Sequence, residues 1–562
     1  MEQFHPVINR LFKKKGFTEA SLRDFLSWDL KSIPDLTQMK DIKKASERLV
    51  QALINNEKIG IYGDYDVDGT TSCALFFHFF KNIGEELSRN VDLVQPSRFV
   101  EGYGLHLSSI DQALEKGIKV LVTVDCGITN NEAATYALEK GLDLIITDHH
   151  KDAREEMPNA FAVVNPNRRD ETQEDLKALA GVAVAFAVCV EIRNQLIKLG
   201  HDIPSVYPLL QFVAIGTICD LAPLNSLNMK LVRHGLKQLK ETEFIGLRQF
   251  FTADELKAKS IPSEKLSFQI GPLINSKGRL DHPEMALRLL TTSRYEVAKE
   301  CYEHLKNCNT ERKFIQSEVF NEAKTIFAKS LDDTDPLVAI LYQAHWHEGV
   351  IGIVASKIVE TFGVPAIIFT DSDHEGIIKA SARTAGSLDI FQALKHCEEF
   401  FIKFGGHKAA AGLSMPKENL QPFIQKMREY LKNIPAIMRT NEDFYDLEIE
   451  ASEIDPRLMR ELDMLEPFGM GNQKPIFKMK EVELESYDVL QDLHVRWNFR
   501  KEKVKMKGIS FNYLTKPLAL KPTEAYSLQQ TKRTPLSVTF TLGLNRFNGN
   551  ESIQLMVDKI EI

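Results

Sequence analysis

A chain of 562 residues, 43% hydrophobic and 26% charged, is too long for one core and leads us to expect three or four domains. Its net charge of −8 excludes a general attraction to nucleic acid, so any such contact must rest on local basic patches. The seven cysteines (Cys73, Cys126, Cys189, Cys219, Cys301, Cys308 and Cys397) form no C-x-x-C pair, which argues against a zinc knuckle or a disulfide framework and for a reducing, cytoplasmic setting. The N-terminus lacks a secretory apolar stretch. The longest apolar run, Ala178 to Val190, is shorter than the ~20 residues of a membrane span, so no membrane association is expected.

Taken in chain order, an N-terminal segment over 1–57 precedes a run of alternating β-type and helical stretches. The β-type runs are "KIGIY" from Lys58, "KVLVTVD" from Lys119, "LDLIITD" from Leu142 and "AFAVVN" from Ala160, with amphipathic segments between them. This alternation predicts an α/β domain on a mostly parallel sheet over 58–225. A helical region over 226–333 follows. From Glu284 to Ser330 it has neither proline nor glycine, which predicts a long connecting helix or two. A second α/β domain is expected over 334–435, opening at "PLVAILYQ". The remainder, 436–562, is rich in β-type residues and turns and predicts a small barrel.

The stretch "GDYDVDG" from Gly63 to Gly69 begins like a calcium loop, but the twelfth position counted from Asp64 is Leu75 rather than glutamate, and a β-type run precedes it instead of a helix. The carboxylates need another explanation. In open α/β sheets ligands gather at the carboxyl ends of the strands. Here the first strand runs into Asp64, Asp66 and Asp68, the second ends at Asp125, the third at Asp148, His149 and His150, and Asp220 closes a further apolar segment, "GTICDLAPL". Carboxylates so close repel unless cations sit among them, and mixed Asp/His ligation suits manganese better than calcium. A lone strand-end aspartate is commonly a helix cap, a role open to Asp68; joint occurrence at three strand ends is what carries the metal reading.

"GDYDVDG", "VTVDCGIT", "TDHH" and "GTICDLAPL", in this order, resemble the four motifs of the DHH phosphoesterase superfamily. "GPLINSKGRLDHPEMAL", "HWHEGVIGIVASKI", "SARTAG", "FGGHKAAAGL" and "EPFGMGNQKPIF" extend the likeness to its single-strand-specific exonuclease branch, over about Lys58 to Phe477. The resemblance implies two divalent ions, Mn2+ or Mg2+, held by Asp66, Asp68, Asp125, His149 and Asp220, with Asp125 as the bridge. His150 would contact the scissile phosphate or act as an acid, and Asp64 would bind metal or support a ligand. It also implies a second domain facing the first across a cleft, with Arg98, Arg279 and Ser381 recognising a terminal 5′-phosphate. Arg383 beside Ser381, and Gly405, Gly406 and His407 in a small-residue run, offer further phosphate contacts.

Between His494 and Arg533 stand ten Lys/Arg against two acidic residues, interleaved with aromatic rings, in a chain that is acidic overall. This fits a single-strand groove using Arg496, Trp497, Lys503, Lys505 and Lys507, and the resemblance places an oligonucleotide-binding (OB) barrel here. The alternative, that the lysines guard a solvated β-edge, is the lesser of the two expectations. The implied activity is metal-dependent exonucleolysis of single-stranded DNA from the 5′ end, in recombination and repair, by a monomer working with a single-strand-binding protein and a RecQ-type helicase. The competing expectations are a phosphodiesterase for oligoribonucleotides or cyclic dinucleotides, and an inactive replication scaffold; the scaffold would have lost metal ligands, and none of the matched residues is replaced.

Overall fold

The computed structural model describes residues 4–94, 104–151, 156–277, 284–330, 337–440, 444–515, 519–532, 535–547 and 550–562. They fall into two compact units, one made of Phe17–Asn309 together with Met464–Lys474, the other of the remaining described residues. Residues 17–57, expected within a separate N-terminal segment, thus belong to the first unit. None of the described helices is long and apolar enough to cross a membrane.

The first unit is built on five parallel strands in the order β2-β1-β3-β4-β5: β1 (Ile59–Gly63), β2 (Val91–Val94), β3 (Val120–Val124), β4 (Asp143–Thr147) and β5 (Ala162–Val164). β1 and β3 are buried at every position, which is why they read as continuous apolar runs rather than as alternation. β2, flanked by polar residues, was not expected from the sequence. Helices α1 (Val67–Asn82), α2 (Gly181–Lys198), α3 (Leu210–Cys219) and α4 (Ser226–Leu239) follow. α2 carries most of the long apolar run as a core helix, buried around nearly its whole circumference.

Register decides what the sheet presents. Gly63 pairs with Val124 and Val124 with Thr147, so Asp64, Asp125 and Asp148, each one residue further on, lie at one level along the carboxyl edge.

A 35-residue helix, α5 (Tyr295–Lys329), leads out of this unit. The second unit holds a mixed sheet in the order β6-β7-β8-β10-β9: β6 (Ala339–Tyr342), β7 (Ala366–Asp371), β8 (Ile377–Arg383), β9 (Lys403–His407) and β10 (Ala410–Pro416), with α6 (Glu348–Phe362) packed on β7 and β8. Its other sheet comprises β11 (Leu447–Glu448), β12 (Phe477–Leu490), β13 (His494–Lys501), β14 (Val504–Ser510), β15 (Leu536–Phe547) and β16 (Asn550–Glu561). Pairing of β12 with β15 closes five of these strands into the expected OB-like barrel.

Candidate metal centre

The turn after β1 is dictated by its glycines. A β-carbon on Gly69 would lie 2.5 Å from the Asp64 carbonyl oxygen, and one on Gly63 would lie 2.2 Å from Cys73 Sγ, so the chain folds back tightly only with glycine at both positions. Capping of α1 falls to Asp66, whose carboxylate accepts from Gly69 N at 2.9 Å. Asp68 is left free of that duty. Buried in the first turn, it accepts instead from Gly181 N at 2.6 Å and Val182 N at 2.9 Å, at the N-terminus of α2, where backbone donors and the helix dipole favour an anion. β-Carbons on Gly181 or Gly216 would come within 3.0 Å of the Asp68 carboxylate.

Asp125 has φ 59°, a left-handed conformation that aspartate tolerates better than most residues, and is 1% exposed. Asp148 is equally buried. It accepts from Ile128 N at 2.9 Å, His149 N at 2.7 Å, His150 N at 3.1 Å and the His150 ring Nδ1 at 2.8 Å. His149 Nε2 stands 3.2 Å from Asp125 Oδ1, 3.7 Å from Asp220 Oδ2 and 3.8 Å from Asp68 Oδ2. Yet that nitrogen and Asp125 Oδ1 are both buried without a hydrogen bond among the described residues. Asp220 caps the C-terminus of α3, the negative end of the helix dipole, where a carboxylate is disfavoured unless a cation offsets it.

Proton affinities reflect this crowding. Burial, reinforced by neighbouring carboxylates, holds Asp68 and Asp125 well above the ordinary range, and burial with the Asp66 charge takes Asp220 up to about 7. Burial and the His150 charge press His149 down to about 4. Burial would lower His150 too, but its hydrogen bond to Asp148 and that group's charge outweigh it and raise His150 to about 9. A neutral imidazole nitrogen and three mutually repelling carboxylates, two of them buried and the third half-buried, have the donor chemistry of a divalent-cation centre. Three sets could each hold an ion: Asp64, Asp66 and Asp125; Asp125, His149 and His150; and Asp68, His149 and Asp220.

The sequence matches the DHH family N-terminal domain over residues 58–217, the DHHA1 domain over 335–433 and the RecJ OB domain over 445–559. It is 34% identical over 569 residues to the single-stranded-DNA-specific exonuclease RecJ of Bacillus subtilis, covering 99% of this chain and 68% of that one. To RecJ of Escherichia coli it is 30% identical over 582 residues, covering 99% and 96%. The chain belongs to the RecJ family. Among solved structures, RecJ in complex with Mn2+ from Thermus thermophilus is similar with a TM-score of 0.80 at 26% identity, over 100% of this chain and 76% of that one. A crystal structure of exonuclease RecJ bound to manganese is similar with a TM-score of 0.59 at 30% identity, over 72% and 97%.

All seven Asp and His residues singled out in the RecJ-like motifs converge within these three sets. Sequence reasoning passed over Asp148 as an orienting group, together with the Gly181 and Val182 amides. A strand-end carboxylate two residues before His150 was a signal for the first. The backbone donors had none beyond a glycine opening an apolar run.

The other expected contacts fare differently. Arg98 and Arg279 lie outside the described residues. On β8, Arg383 Nη1 donates to Ser381 Oγ at 3.0 Å, and the guanidinium enters no ion pair among the described residues. Burial lowers its proton affinity below the usual arginine value. Gly352 of α6 gives the pair room, since a β-carbon there would lie 3.0 Å from Ser381 Oγ and 3.1 Å from Arg383 Nη2. β9 is an exposed edge strand. Gly406 is demanded by the hairpin itself, because a β-carbon would lie 2.4 Å from the Ala410 oxygen; Gly405 faces open space, and His407 Nδ1 is engaged by Ala409 N.

The barrel corrects one expectation outright. Trp497 is 0% exposed, packed on Phe499 and Tyr513 and donating Nε1–H to Ser510 Oγ, so it belongs to the barrel core and offers no face to a base. Nor is the outer face simply basic. Arg500 Nη2 is 2.6 Å from Glu483 and Arg496 is 3.8 Å from Asp488, both on the neighbouring β12, and Lys505 of β14 is 3.5 Å from Glu485, also of β12. Lys503 and Lys507 enter no ion pair among the described residues.

Proposed function

We propose that this protein is a metal-dependent exonuclease that degrades single-stranded DNA from the 5′ end to 5′-mononucleotides. The observation that carries the reading is the convergence of seven Asp and His side chains on the carboxyl edge of the parallel sheet, with His149 Nε2 and Asp125 Oδ1 buried and unsatisfied among the described residues. The likeness to RecJ exonucleases supplies the substrate.

Two cations, Mn2+ or Mg2+, are assigned to Asp66, Asp68, Asp125, His149 and Asp220, with Asp125 shared and Asp64 beside them. Bound there, such a pair supplies neutralisation of the phosphoryl group and an acidified water. The chain's own residues do the rest. The α2 N-terminus fixes the Asp68 carboxylate through two N–H donors. Asp148 holds His150 by Nδ1, and His150 is assigned to contact the scissile phosphate or to act as an acid. Ser381 and Arg383 pair a hydroxyl with a guanidinium that meets no carboxylate among the described residues, a combination suited to a DNA phosphate. Arg279 and Arg98 are assigned to the terminal 5′-phosphate on the resemblance alone. A single-strand-binding protein and a RecQ-type helicase are the partners this role implies, in the cytoplasm.

The test offers 5′-labelled and 3′-labelled single strands, duplex DNA and RNA to the pure protein with Mn2+, and sizes the earliest products. Labelled mononucleotide should appear at once from the 5′-labelled single strand only. Internal fragments, or early mononucleotide from the 3′ label, would contradict the reading, and preference for a short RNA or a cyclic dinucleotide would favour the competing phosphodiesterase.

A further inference from the structure

The motif "EPFGMGNQKPIF" has no place in the chemistry above, yet its segment Met464–Lys474 packs with the metal-bearing unit, although the residues on either side of it belong to the other one. What it meets there is the turn that follows Asp220.

That turn is under strain. Leu221 N donates to the Ile218 oxygen at 3.4 Å and Ala222 N to the Thr217 oxygen at 3.1 Å, the paired closure of a helix end that ordinarily uses glycine at the left-handed position. Here the position is Leu221, with φ 60° and its side chain 64% exposed, so burial does not compensate for the unfavourable backbone. A strained conformation persists only where its surroundings over-determine it.

The surroundings do so from two sides. Asn228 Nδ2 donates to the Pro223 oxygen at 2.8 Å, and Leu224 N donates to the Met470 oxygen at 2.7 Å. Gly469 lies so close that a β-carbon would stand 2.9 Å from Leu224 Cδ1. The segment is itself held rigid. Asn472 is 4% exposed, and its Nδ2 donates to the Leu465 oxygen at 2.8 Å and the Pro467 oxygen at 2.9 Å, while Gly469 and Asn472 exchange backbone hydrogen bonds of 3.1 Å. Its flanks are pinned by buried Arg233, which donates to the Met464 and Glu466 oxygens at 3.0 Å each, and by Ser263, which donates to the Phe468 oxygen at 2.6 Å.

We propose that Met464–Lys474 is a strap that holds the Asp220–Leu224 turn and so aims the Asp220 carboxylate at the metal centre, with Asn472 as its principal positioning residue. The inference rests on the assignment of Asp220 as a ligand. Orienting groups of this kind change metal affinity by about 10- to 100-fold when removed.

The test is Mn2+ titration of the full chain by calorimetry, beside thermal melts and separate kcat and KM values. Asn472→Ala should weaken Mn2+ binding by about tenfold or more and lower kcat more than KM, in protein still folded by circular dichroism. Leu221→Gly, which relieves the strain, should restore much of that affinity in the double variant. A melting temperature that falls while Mn2+ affinity stays within about twofold of the parent would overturn the strap, because a merely structural segment would behave so. If Asn472→Ala does not fold, Gly469→Ala, which presses only on the end of Leu224, is judged by the same criterion. Asp220→Asn separates the two layers: unchanged Mn2+ binding in that variant overturns the ligand assignment and the strap with it, whereas loss there with none in the strap variants overturns the strap alone.

Discussion

The carboxyl edge of the first sheet and the outer face of the barrel are both dense in charge, and they differ in how that charge is answered. At the sheet edge, Asp68, Asp125 and Asp220 surround one imidazole nitrogen, with burial and mutual repulsion disfavouring their ionised forms. On the barrel, Arg496 and Arg500 each find a carboxylate on the next strand, β12, and Lys505 reaches Glu485 of β12 across β13. Charge of one sign that the fold leaves unanswered is a demand for a ligand; charge answered within the sheet mostly keeps the surface soluble and the edges apart.

The sharpest way to break this comparison is at Asp125. Asn is isosteric and accepts the left-handed backbone, so Asp125→Asn should fold, yet lose activity by roughly a thousandfold, as the removal of charge stabilisation at a reacting phosphate implies. In chelator the same variant should melt higher than the parent, since it removes one of several repelling buried charges. Residual activity within about tenfold of the parent would show the edge to be answered already.

Next in size is Arg383. Arg383→Ala should weaken binding of single-stranded DNA by roughly tenfold to a hundredfold, the worth of a charged hydrogen bond or two, with Arg383→Lys only partly restoring it. Equal affinity in all three, measured by fluorescence anisotropy, would make the guanidinium a packing group.

A structural control comes from His78, buried between Phe212 and Phe244 and bonded through Nε2 to the Leu290 oxygen at 2.8 Å. Burial lowers it to about 4 from an ordinary 6.5. A folded value below the unfolded one contributes stability that is whole above about 6.5 and is lost as pH falls through about 4, by roughly 3 kcal/mol in all. His78→Phe should therefore flatten the fall in melting temperature between those two pH values. A parallel fall in both proteins would place the acid sensitivity elsewhere.

The smallest effect is expected on the barrel. Reversing Arg500 and Lys505, already paired, should barely change the salt dependence of DNA binding, whereas Lys503→Glu and Lys507→Glu should each lower its slope by up to ~0.7 if they meet phosphates. Equal slopes throughout would remove this face from the path of the strand.

These two regions also mark how far the sequence could be read. The edge was legible because its signals are local: a β-type run followed by aspartate at three successive strand ends, with glycines that only a tight turn requires. What made Asp68 usable, two amides at positions 181 and 182, left no trace in residue type, because any residue brings a backbone N–H and the partner lies 113 positions away. The barrel was misread for the complementary reason. A window from His494 to Arg533 counted its bases without the acids of β12 that register sets beside them. There the remedy was in plain view: along β13, Val495, Trp497 and Phe499 alternate with Arg496, Asn498 and Arg500, a period-two pattern that sends the tryptophan inward. The strap was recognisable as a motif only, since its contacts join Asn472 and Met470 to residues some 240 positions earlier.

The central claim is that the unanswered charge at the sheet edge is a shared two-cation centre. Anomalous diffraction from crystals grown with Mn2+ tests it directly. The account predicts two peaks about 3.5–4 Å apart, both within bonding distance of the Asp125 carboxylate and one of them also of His149 Nε2. A single peak, or manganese bound away from Asp125, would contradict it.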